Sequence, residues 1–309
     1  MIYTLTLNPA LDRSIVIKRF VEDDTIRVLE EQYYAAGKGI DVSRVIKELG
    51  GQSVSLGFVG GYHGLHLEGL LINAGVMTNF TRIAGETRTN LIIKEQDTGI
   101  QYIISAAGPE VSAAEIGELY NQILSIHNMD YFVMSGSLPR GITPNLYAQL
   151  ILAGKRKNAV VFLDTDGKAL KESINYQPDG IKPNKHELSR LMERDIEKDH
   201  DVIRASDILH KKGIRYVLTS LGKEGLFLST EDYKIKAIPP EIETDSTVGA
   251  GDSALAGFIL SLSQGKDLKE CLTVACAAGT ATVLTPGTEL CHREDVERLK
   301  GQIQIVELS

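Results

Sequence analysis

MDYFVMSG, residues 129–136, is a short apolar run closed by serine and glycine, and its reading decides the fold. Two later runs resemble it: NAVVFLD at residues 158–164 and IRYVLTS at residues 214–220. Runs of this length, rich in β-branched and aromatic residues and bounded by turn residues or charge, mark strands buried on both faces. Helical patterns over residues 143–153, 185–193 and 202–212 alternate with them. The alternation predicts a doubly wound α/β fold, a mostly parallel sheet flanked by helices. In such sheets ligands bind beyond the carboxyl ends of the strands.

Two regions break the alternation. SIVIKRF (14–20) with TIRVLEEQYY (25–34), and TRTNLIIKE (87–95) with GIQYIIS (99–105), read as antiparallel pairs, the second turning at Gln96-Asp97-Thr98-Gly99. They predict a small β-sheet lid, inserted at about residues 13–34 and 86–106, over one domain spanning residues 1–309. Two ordinary edge hairpins are the plainer alternative. The apolar face of a lid needs a cover, either closure on a substrate or a second subunit, and a homodimer through the lid is expected.

The 309 residues are 43% hydrophobic, enough for a substantial core. A formal net charge of −8 argues against nucleic acid as a partner, since phosphate backbones demand clustered cations. No apolar stretch is long enough to predict a membrane span, and the N-terminal MIYTLTLNPALD lacks the pattern of a secretion signal. Cys271, Cys276 and Cys291 show no CxxC spacing and are expected as reduced thiols of a cytoplasmic chain. His63 and His66 read as surface residues of a helix, with no third metal ligand nearby in sequence.

There is no G-x-x-x-x-G-K-[ST] and no G-x-S-x-G, and GFVGGYHG (57–64) misses the dinucleotide spacing. What remains are two glycine-rich helix entrances. STVGAGDSALAGF (246–258) places Asp252 directly after Gly249-Ala250-Gly251 at the start of an apolar helix. Glycines there can expose backbone N–H groups to an anion, such as a phosphoryl group in flight. Asp252 read alone is equally a residue stabilising its own helix start. YAAGKGIDVSRVIKELG (34–50) is the second entrance, carrying Lys38 and Asp41 beside Gly37 and Gly39, with a helical stripe of Ile40, Val42, Val45, Ile46 and Leu49.

Together with TLNPALD (6–12), ETRTN (86–90), SGSLPRG (135–141), KPNKHEL (182–188) and TSLGKEG (219–225), these blocks run in order along the chain. The chain resembles the ribokinase-like PfkB carbohydrate kinases, in the branch that phosphorylates hexose phosphates. The resemblance implies a ribokinase-like fold, ATP as phosphoryl donor with Mg2+, and Asp252 as catalytic base, with the Gly249, Ala250 and Gly251 backbone neutralising the transferred group. A carboxylate at a helix N-terminus is expected to have a depressed pKa, tolerable because a loose transition state needs its base late. Lys182, Asn184 and the loop Ser220, Leu221, Gly222, Lys223, Glu224, Gly225 are implied for ATP, with Gly251. Asn184 and Glu187 are implied for Mg2+, held through water because this ion gives up its hydration reluctantly. Asn184 with Glu187 is also a capping box, and both readings can hold together.

For the sugar phosphate the resemblance implies Asp12, Arg27, Gly37, Lys38, Gly39, Asp41, Arg88 and Arg140. Asp12 is read as ending the first strand at its carboxyl edge, and Arg27 as lying on a lid strand from which it can reach a neighbouring subunit. The four cations favour a phosphorylated sugar over a free one, and each taken singly is also an ordinary surface charge. Asp41 departs from the family, whose members mostly carry Asn there; an ionised Asp only accepts hydrogen bonds. Asp245 falls where some relatives bind a monovalent cation. The expected reaction is fructose 1-phosphate to fructose 1,6-bisphosphate. Fructose 6-phosphate and tagatose 6-phosphate are the alternatives, and GTELC (287–291) resembles kinases of fructose 6-phosphate. A non-catalytic sugar-phosphate sensor on the same scaffold is the reading from a different class, and retention of Asp252 weighs against it.

Overall fold

The computed structural model describes residues 1–243 and 246–308; Asp245, the position considered for a monovalent cation, lies outside them. The strands are β1 (Ile2–Thr6), β2 (Ala10–Ile17), β3 (Val28–Ala36), β4 (Ser53–Val59), β5 (Met77–Thr78), β6 (Thr81–Arg82), β7 (Arg88–Glu95) and β8 (Gln101–Ile104). They continue as β9 (Tyr131–Ser135), β10 (Val160–Asp164), β11 (Gly180–Ile181), β12 (Tyr216–Ser220), β13 (Leu226–Ser229), β14 (Lys234–Ile238) and β15 (Gln304–Glu307). The helices are α1 (Lys38–Glu48), α2 (Gly61–Asn73), α3 (Ala113–Ser125), α4 (Asn145–Arg156), α5 (Gly167–Ser173), α6 (Lys185–Met192), α7 (Asp199–Lys211), α8 (Ala250–Ser263), α9 (Leu268–Thr282) and α10 (Arg293–Lys300).

The main sheet runs β15-β14-β13-β12-β11-β10-β9-β1-β4-β5, with β6 also on β4. Pairing is parallel from β5 to β12 and antiparallel from β12 to β15. The three runs that announced the fold are β9, β10 and β12, and their interiors are fully buried: Phe132, Val133, Val161, Phe162, Val217 and Leu218. One apolar cluster packs helices α3 to α7 on the sheet, and another packs α1, α8, α9 and α10. Helices on both faces explain why the central strands are apolar without alternation. α8 is buried continuously from Asp252 to Ser261, so its sequence carries almost no polar stripe.

The second sheet, β3-β2-β7-β8, is the lid. Its β2–β3 and β7–β8 pairs are antiparallel as expected, and a parallel β2–β7 pairing joins the two separated pieces. The turn after β7 is closed by Gly99 N–H donating to the Glu95 carbonyl at 2.9 Å. One boundary differs. Asp12 does not end the first strand: β1 stops at Thr6, and Asp12 sits inside lid strand β2. Pro9 interrupts the backbone donors between them, and the chain resumes on the other sheet. Arg27 likewise precedes β3, in the loop between β2 and β3, and does not lie on a strand.

Candidate active site

Side chains from the carboxyl ends of β10 and β11 meet the N-termini of α1 and α8 around Asp164, Lys38, Lys182 and Gly251, and Asn184 bridges to the end of β12. Gly249 caps α8 with φ 77, a left-handed conformation that costs glycine least, and a Cβ there would stand 2.5 Å from Leu290 Cδ2. Ala250 begins the helix, and Gly251 follows with the Lys182 ammonium only 3.1 Å from where its Cβ would be. The helix mouth therefore offers backbone N–H groups and a buried cation to the same anion.

Asp252 is buried in that first turn. Its carboxyl is pushed well above the usual carboxylate range, first by burial and then by the charges of Asp164 and Asp41, with Lys38 and Lys182 opposing. The direction is opposite to the expected depression at a helix start, with burial and two neighbouring acids, which act through the fold, as its causes. No hydrogen bond or ion pair from a described residue reaches the Asp252 carboxylate. A proton acceptor in this state is stronger than the sequence alone implied.

Lys38 opens α1, and its Nζ donates to Asp164 Oδ1 at 3.0 Å; Lys182 Nζ lies 3.1 Å from Asp164 Oδ2. Burial works against the Lys38 charge, but Asp164, Asp252 and Glu187 together raise its pKa above the ordinary lysine value. Gly37 caps α1, and Gly39 lies in its first turn against the Leu5 carbonyl. Asp41 is one turn into α1, with Arg44 Nη1 at 3.2 Å; the same nitrogen donates to the Ala35 carbonyl of β3. Burial pushes Asp41 up to about 7, and Asp12 adds to the effect while Arg44 opposes it. Asp12 is raised in the same direction by burial and accepts from Asn90 Nδ2 at 2.8 Å.

The expected cations separate. Arg88 donates to the Ala106 carbonyl at 2.7 Å and the Asn8 carbonyl at 2.9 Å, so its fork is engaged in tying the lid to the end of the first strand. Arg27 and Arg140 are exposed and have no carboxylate partner among the described residues. Asn184 and Glu187, expected for ATP and Mg2+, form a reciprocal capping box at 2.8 Å each way. Ser220 bridges to Asn184, and the loop through Leu221, Gly222, Lys223 and Glu224 closes when Leu221 N–H donates to the Gly225 carbonyl at 2.9 Å. Glu224 pairs with Lys185 at 3.4 Å and Lys236 at 3.5 Å.

Three contributors went unnoticed in the sequence: Asp164, Arg44 and Asn90. Asp164 does carry a signal, a charge closing a buried strand at its carboxyl end. Arg44 follows Asp41 by three residues on one helix face, and Asn90 follows Arg88 by two on one strand face.

Glycine amides at a helix start, a buried carboxylate beside them and two lysines gathered on Asp164 make an arrangement of the kind phosphoryl transfer uses. The comparisons fix the class: residues 5–295 match the pfkB family of carbohydrate kinases, and the chain belongs to that family. It is therefore a phosphotransferase with an alcohol acceptor and ATP as donor, on the expected ribokinase-like fold. It is 36% identical to the 1-phosphofructokinase of Borreliella burgdorferi over 100% of this chain and 99% of that one. It is 32% identical to the ATP-dependent 6-phosphofructokinase isozyme 2 of Escherichia coli, over 96% and 97%. The crystal structure of Escherichia coli phosphofructokinase-2 in complex with potassium superposes with TM-score 0.93 at 32% identity, covering 97% and 98%.

Proposed function

We propose that the enzyme transfers the γ-phosphoryl group of ATP to fructose 1-phosphate, giving fructose 1,6-bisphosphate and ADP. The observation that carries the reading is the Asp252 carboxylate, without a hydrogen-bond or ion-pair partner among the described residues, beside the Gly249–Gly251 amides and the Lys182 ammonium. Asp252 aligns the acceptor hydroxyl and collects its proton as the oxygen attacks. The amides and Lys182 take up charge on the transferred group, and Lys38 stands on the acceptor side. Asp12, held by Asn90, and Asp41, held by Arg44, present acceptors to sugar hydroxyls. Arg27 and Arg140 are the cations free to hold the phosphate of the substrate. Ser220–Gly225 flanks the nucleotide.

Mg2+ fits the residues present. Among the described residues no group of three acidic, histidine or cysteine side chains is placed to hold a metal ion, and Glu187 with Asn184 would be the protein oxygens nearest to hand for one. That would suit an ion held chiefly by water and by its substrate, which when bound would supply charge neutralisation. Glu187 then acts through water while its other oxygen keeps the cap on α6. The three buried, unpaired thiols suit a reducing, cytoplasmic setting, and no helix among the described residues is long and apolar enough to cross a membrane.

Fructose 6-phosphate is the second reading, supported by the full-length likeness to the Escherichia coli 6-phosphofructokinase. ADP release measured on fructose 1-phosphate, fructose 6-phosphate, tagatose 6-phosphate, fructose and ribose decides between them. Fructose 1-phosphate is expected to give the highest kcat/KM, and equal turnover of ribose would sink the phosphate-clamp reading. Asp252→Asn is expected to lower kcat by about 10²–10⁴. Activity within about tenfold of the parent would remove Asp252 from the base role.

A further inference from the structure

Asp164 is an anion without a part in the chemistry above. Its side chain is 0% exposed, and its two oxygens meet lysines from different places in the chain: Lys38 at the mouth of α1 and Lys182 beyond β11. Asp252 stands close enough for both lysines to act on its charge, yet neither pairs with it. Two ammonium groups beside two carboxylates will pair with whichever is better placed, and here both pair with the same one, Lys38 through a hydrogen bond and Lys182 as an ion contact outside hydrogen-bond geometry.

We propose that Asp164 is a positioning residue that holds Lys38 and Lys182 away from Asp252, keeping the base's carboxylate open to the acceptor hydroxyl. The same anion sets one cation on each side of the transfer point, Lys38 toward the acceptor and Lys182 against Gly251. The proposal rests on the reading of Asp252 as the base. The charged groups facing Asp252 are Asp164 at the end of β10, Asp41 and Lys38 on α1, and Lys182 after β11. Asp164 and Asp41 raise the Asp252 pKa and the lysines lower it. Removing the Asp164 charge takes away one raising influence and frees a lysine to turn onto Asp252, so both consequences lower its pKa.

The test is kcat and acceptor KM across pH for the parent and Asp164→Asn, at saturating ATP and Mg2+. A base must be ionised, so kcat rises with pH through its pKa, and this acid limb should move to lower pH by about one unit or more. kcat at the plateau should fall at least about tenfold, while acceptor KM changes by less than about threefold. An unmoved limb overturns the proposal. If it comes with a higher Mg2+ requirement, the carboxylate serves the metal; if with a lower unfolding midpoint alone, its role is structural. Should Asp164→Asn fail to fold, Lys38→Gln is compared with Lys38→Gln/Asp164→Asn, which removes the pair together. The limb of the double variant should lie below that of the single, and coincident limbs overturn the proposal. If Asp252→Asn keeps both activity and acid limb, the base reading has failed by itself, whatever Asp164→Asn shows.

Discussion

Asp41 brings a carboxylate into a buried turn that already faces Asp12, and Arg44 offsets only part of the cost. Its carboxyl lies at about 7 when folded, against an ordinary value of 3.8. A pKa raised on folding means that the native state holds its proton longer. The associated stability is fully present below the ordinary value and is lost as pH rises through about 7. Asp41→Asn keeps the shape and removes the charge, so its stability relative to the parent should increase between about pH 5 and pH 8. Denaturant unfolding of both proteins at the two pH values measures this. A constant difference would show that Arg44 already compensates Asp41 in full. Arg44 also answers why an acid is tolerated there, since its guanidinium joins Asp41 to the end of lid strand β3 through the Ala35 carbonyl.

At the level of elements, the entrance of α8 separates stability from function. Gly251 is helical, and alanine is the better helix former by about 1 kcal/mol. A methyl group there would press on the Lys182 ammonium at 3.1 Å and narrow the approach of the phosphoryl group. Gly251→Ala should leave the unfolding midpoint unchanged or higher while kcat falls at least about tenfold. Parallel losses of midpoint and kcat would make the glycine structural. The same entrance marks how far the sequence could be read. Glycines before an acid, a three-residue capping spacing and apolar runs closed by turns are local patterns, so α8, the α6 cap, β9, β10 and β12 were all legible. The Lys38–Asp164 bond spans 126 residues, and the β2–β7 pairing that makes one lid from two hairpins is equally non-local. Neither pairing partner is marked in a sequence window, although the joining of the two strand pairs into one small sheet was expected and is found. The Asp252 pKa was misjudged for the same reason: the helix terminus is local, whereas Asp164 and Asp41 arrive through the fold.

Across the whole molecule, the lid has an inner and an outer economy. Ile15, Ile17 and Ile93 form a small buried cluster within it, while Leu29, Ile103 and Ile104 are more than half exposed on its edge strands. β8 is an unpaired edge with three consecutive apolar or aromatic residues, Tyr102 to Ile104, the kind of edge that recruits another strand. A second copy of the chain meeting lid to lid would cover these residues, and it would carry the Arg27 loop toward the neighbouring cleft. Each buried isoleucine is worth about 1.5–3 kcal/mol, so a charge at one of them should be felt in assembly. If two copies meet lid to lid, the parent sediments as a dimer and Ile104→Glu should shift it toward monomer. It should also raise the KM for the sugar phosphate by at least about fivefold, an energy of about 1 kcal/mol. The KM for ATP should stay within about twofold, because Ser220–Gly225 belongs to the main sheet and not to the lid. If the variant becomes a monomer with both constants unchanged, the lid joins subunits without completing their sites. If it remains a dimer, the contact lies elsewhere and the exposed edge of β8 serves closure over the substrate.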